Sequence, residues 1–112
     1  ASGGGTAVVN YRCIAPPVHN DLQLTDLLES CAVDCLGRDK VLPVEQPSLG
    51  AEDFAELLRG VPGMMVRLGV AGPEGCAPLH NGAFALEEDA LGVGIAVLTS
   101  TLLAWITENT SA

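Results

Sequence analysis

The sequence predicts an α/β fold. Short apolar or alternating stretches of strand length are interleaved with stretches of helical period. Residues 64–70 are almost continuously apolar, broken only by Arg67, as expected of a strand buried on both faces of a sheet. Residues 21–36 carry Leu24, Leu27, Leu28, Cys31 and Cys35 at helical spacing, as expected of an amphipathic helix on that sheet.

Taken in order, residues 1–5 are rich in glycine and have neither the basic nor the apolar region of a signal peptide, so they read as a linker or as residues left from cloning. Residues 6–14 alternate, with Ala7, Val9 and Tyr11 on one face and Val8, Asn10 and Arg12 on the other, and read as a first strand. Ala15-Pro16-Pro17 stops it and stiffens the connection, which makes this the best candidate for a domain hinge. Asn20 and Asp21 are both N-cap residues, and Gln23, three after Asn20, suggests a capping box. Gly37 is the expected left-handed stop. Residues 41–44 are a candidate short strand between prolines. Acids at Glu52 and Asp53 favour a helix start facing the positive end of its dipole. Phe54, Leu57 and Leu58 form that helix's apolar face before Gly60 and Pro62 end it. After the 64–70 strand come a Gly/Pro loop, a polar turn at Leu79-His80-Asn81-Gly82, and a helix opening at Glu87, Glu88 and Asp89 and running to about Thr107. Residues 90–106 carry no charge but fall short of the ~20 residues of a membrane span, and Gly92 and Gly94 dilute them. A buried core helix is the expectation, with no membrane partner.

Composition narrows the function classes. The chain has 112 residues, enough for one domain, and 48% are apolar, which argues against disorder. Five Lys or Arg stand against fourteen Asp or Glu, a net charge of −9. The five cations are too scattered to build the basic face a nucleic acid needs, so no nucleic-acid partner is expected. The four cysteines contain no C-x-x-C pair. Cys31 and Cys35 read as small buried hydrophobes more readily than as a disulfide or a structural metal site, and a reducing, cytoplasmic compartment is expected.

Four segments together resemble one family in order and spacing. Ala15-Pro16-Pro17-Val18-His19-Asn20-Asp21 is similar to the hinge by which the M20 amidohydrolases leave their lid domain, a Tyr-Pro-Pro-x-x-Asn-Asp run. Pro47-Ser48-Leu49-Gly50-Ala51-Glu52-Asp53-Phe54 resembles the family's Gly-Ala/Ser-Glu-Asp-Phe motif. Val61-Pro62-Gly63 and the apolar run after it resemble the next strand. Pro78-Leu79-His80-Asn81, an acidic turn and a long apolar helix resemble the C-terminal metal-ligand motif. The subgroup is that of hippurate hydrolases, N-acyl-amino-acid amidohydrolases and auxin-conjugate hydrolases.

The resemblance implies the C-terminal part of a zinc-peptidase-like catalytic domain, a mixed sheet packed with about three helices. Residues 1–14 would be the last strand of the lid, or dimerisation, domain or a linker, and residues 15–112 the catalytic portion. It maps His80 onto one ligand of a site for two divalent ions (Zn, Mn, Co or Ni), which would polarise an amide carbonyl and acidify a bridging water. It places the Gly50, Ala51, Glu52 and Asp53 turn along the pocket of an N-acyl amino acid substrate, and it implies a homo-oligomer. Read without the resemblance, a lone histidine is ordinarily a surface residue, and acids at a helix start have a complete explanation in the dipole. The family's Met-His-Ala-Cys-Gly-His-Asp segment, its paired glutamates and its other metal-binding histidine are absent, so no catalytic residue is assigned within these 112 and the chain alone is expected to be inactive. Ala15 in place of Tyr, Arg67 within the strand and Gly82 in place of Pro are further departures. A non-catalytic assembly module is the alternative, since an open sheet edge invites pairing.

Overall fold

The computed structural model describes residues 3–110, and its regular structure is helical. Helix α1, Leu22–Leu36, is capped by Asp21, whose carboxylate accepts the Leu24 N–H at 3.0 Å. It stops at Gly37, where φ is 88° and the N–H bonds back to the Val33 carbonyl. A 3-10 turn, Arg38–Lys40, follows. Helix α2, Phe54–Leu57, is one turn long. Helix α3, Asp89–Thr110, has 22 residues and closes the described chain.

The core lies between α1 and α3. Leu28, Ala32 and Val97, at 7, 5 and 8% exposure, meet there, and Leu36, Val41 and Met64 pack around them. The inner face of α3 is built of small residues: Ala90, Gly94, Val97 and Thr101 recur at intervals of four, three and four. Small side chains let the helices approach, and at Gly94 a Cβ would come 3.0 Å from the Leu68 side chain. The buried Thr101 hydroxyl is satisfied by donating to the Val97 carbonyl at 2.8 Å.

The mixed sheet is the main correction. Among the described residues no β-strand forms, and the one bridge joins Gly72 and Gly75 across a tight turn. Residues 6–14, 41–44 and 64–70 lie outside any ladder. A strand is stable only when a neighbour takes its N–H and C=O groups, and no two of these segments pair. The first is exposed along its whole length, with Val8 at 87%. The third is not buried on both faces, since Met65, Val66 and Leu68 remain exposed.

Other expectations shift as well. α3 is no buried core helix: Leu91, Ile95, Leu98, Leu102, Leu103 and Trp105 are exposed along its outer side. It is also, by length and composition, the one helix among the described residues long and apolar enough to cross a membrane. Cys31 is half-buried rather than buried, and Cys35 is exposed, with its Sγ 3.5 Å from Ser100 Oγ on α3. All four cysteines are free. The capping box does not form, because the Asn20 side chain bonds to Met65 instead.

Candidate functional site

The segment after α2 is fixed at both ends. Asp21 donates its N–H to the Gly63 carbonyl at 2.9 Å. Asn20 donates its amide N–H to the Met65 carbonyl at 2.9 Å and accepts the Met65 N–H at 3.0 Å. At the far end Glu87 donates its N–H to the Val70 carbonyl at 2.9 Å. That last bond closes a loop, residues 71–86, just before α3 begins.

His80 stands in this loop. The Pro78 carbonyl accepts from the Asn81 N–H at 3.2 Å, making a turn with His80 third. There φ is 67°, the only positive value at a non-glycine among the described residues. Type II turns demand a positive φ at that position, and a side chain there carries steric cost. Asn81 then starts a second turn, accepting the Ala83 N–H on its Oδ1 at 2.9 Å and the Phe84 N–H on its carbonyl at 2.9 Å. His80 is thus exposed on the first of two consecutive turns.

The 50–53 turn is built by local bonds. Ser48 Oγ accepts the Gly50 N–H at 3.1 Å. Glu52 accepts the Phe54 N–H at 3.1 Å on its carboxylate, so one of the two predicted pocket acids is engaged at the start of α2. Asp53 makes no side-chain capping bond. All of Gly50, Ala51, Glu52 and Asp53 are exposed.

The described residues do not bring a metal site together: no group of three or more His, Cys, Asp or Glu among them could hold an ion. His80 therefore belongs to no such group among the described residues. Two shallow grooves mark the surface. One, of about 350 Å³, runs along α1 past Asp26, Glu29, Asp34 and Arg38. The other, of about 360 Å³, lies at the hinge between His19, Asn20, Leu58, Arg59 and Gly63. Its Arg59 has a raised pKa because Glu56 hydrogen-bonds and attracts the guanidinium. Neither groove includes His80 or the 50–53 turn. Sequence reasoning missed the Asn20 clamp, since its partner lies 45 residues away and leaves no local signal.

Comparison with known proteins places the chain. Residues 5–104 match the family described as Peptidase family M20/M25/M40. The chain belongs to that family. A probable hydrolase of Synechocystis is 40% identical over 104 residues, covering 91% of this chain and 26% of that protein. Thermostable carboxypeptidase 2 of Saccharolobus solfataricus is 43% identical over 104 residues, 90% of this chain and 25% of that protein. N-acetyldiaminopimelate deacetylase of Leuconostoc citreum is 33% identical over 89 residues, 78% of this chain and 21% of that protein. The chain thus spans about a quarter of the length of the curated relatives it matches. No solved structure matches it.

Proposed function

We propose that this M20 chain works as one part of a metal-dependent amidohydrolase that cleaves the amide bond of N-acyl amino acids. The observation that carries the reading is the family match running through residues 5–104, which takes in the His80 loop and the 50–53 turn together. Relatives named as a deacetylase and a carboxypeptidase support amide hydrolysis as the reaction class.

His80 supplies one ligand for a divalent ion, and the remaining ligands come from residues outside these 112. The described residues alone do not fit a two-metal site, so no catalytic step is assigned to them. The positive φ at His80 supports a role beyond structure, because strained backbone is kept where something else requires the side chain there. The 50–53 turn offers exposed backbone and the Asp53 carboxylate to the substrate.

The test is substitution of His80 in a protein of the relatives' length. His80→Gly is the cleaner variant, because glycine accepts the positive φ while alanine adds strain. The expected result is a folded protein with lowered metal content and kcat reduced ~10²-fold or more, as follows from losing a few kcal/mol of transition-state stabilisation. Normal metal content and near-normal kcat would remove His80 from the site.

A further inference from the structure

We propose that Asn20 is a positioning residue that locks the hinge exit to the segment carrying the His80 loop. The inference rests on the amidohydrolase reading for its catalytic consequence, but the clamp itself is a matter of geometry.

A primary amide carries both a donor and an acceptor, like a peptide group. Asn20 uses both on one residue, donating to the Met65 carbonyl and accepting the Met65 N–H. In an extended segment these two groups point to the same edge, so the Asn20 side chain occupies the place of a neighbouring strand for one residue. The adjacent Asp21 adds a backbone bond to Gly63 while its carboxylate caps α1. Three hydrogen bonds from two consecutive residues therefore register the 63–65 stretch on the start of α1.

The clamp sits between two stiff features. Pro16 and Pro17 lie just before it, and α1 begins just after it. Downstream, Met64 packs on the α1–α3 core, Leu68 lies against Gly94, and Val70 is tied to Glu87. Residues 63–70 thus form a rail from the hinge to the mouth of the 71–86 loop. In a protein with a hinged lid, a shift at residues 15–19 would reach His80 along this rail.

The experiment compares the chain with Asn20→Asp and Asn20→Leu by nuclear magnetic resonance. Asp21 still caps α1 in both variants, so α1 amide protection serves as the internal control for folding. The aspartate keeps an acceptor but loses the donor, and leucine loses both. Met65 amide protection should fall in the order Asn, Asp, Leu, by about tenfold or more at the end of the series. The assigned His80 ring signals should move in the same order. Unchanged Met65 protection in Asn20→Leu, or His80 signals that stay fixed while Met65 loses protection, would overturn the proposal. Kinetics in a protein of the relatives' length separate the two readings: the clamp predicts a lower kcat with little change in KM. A wild type without hydrolase activity sinks the amidohydrolase reading and leaves the resonance result to decide the clamp.

Discussion

Asp21 shows how much one residue can settle locally. Its side chain satisfies the Leu24 N–H, its carbonyl accepts both the N–H and the hydroxyl of Thr25, and its own N–H reaches Gly63. Asp21→Ala should cost about 1 kcal/mol, read as a lowered denaturant midpoint with an unchanged slope. An N-cap before an apolar run is legible in a sequence because both partners are neighbours. His80 was legible as a candidate only through the family resemblance, since nothing local distinguishes it from a surface histidine. Its positive φ was not legible at all, because glycine or asparagine is what a type II turn ordinarily uses at that place. Asn20 looked like a cap, and its real partner lies across the fold.

At the scale of elements, helices and strands separate by the range of their hydrogen bonds. α1 begins one residue from its expected start and ends where expected, at Leu36 before Gly37, because its backbone ladder is internal to the helix. The expected strands do not form, because a strand needs a partner distant in sequence and residue pattern alone does not supply one. α3 combines both lessons. Its extent was readable from the apolar run, while its exposure was not. Leu91, Ile95, Leu98, Leu102 and Trp105 recur at intervals of four, three, four and three, a seam of the kind that packs against another surface. The seam is uncharged in a chain of net charge −9, so it is where two copies could meet without repulsion. The chain is therefore expected to self-associate. Ile95→Lys should weaken association while leaving helix content unchanged, because Ile95 is already 67% exposed. Sedimentation across a concentration series checks this; a clean monomer of the unsubstituted chain at high concentration would contradict it.

For the whole molecule, the dimensions carry the argument. The radius of gyration is 19.2 Å, against about 13 Å for a compact domain of this length. The accessible surface is 9388 Å², against roughly 5,800 Å² for a compact monomer of this mass. The excess is comparable to the area buried in an obligate interface. Such a surface fits a chain that packs against further protein. The most direct measurement is an assay of N-acetyl and N-benzoyl amino acid hydrolysis with added zinc, manganese, cobalt or nickel. It would compare these 112 residues with a protein of the relatives' full length. Metal-dependent hydrolysis by the longer protein and none by the chain alone is the expected result, and turnover by the purified chain would overturn the amidohydrolase-part reading.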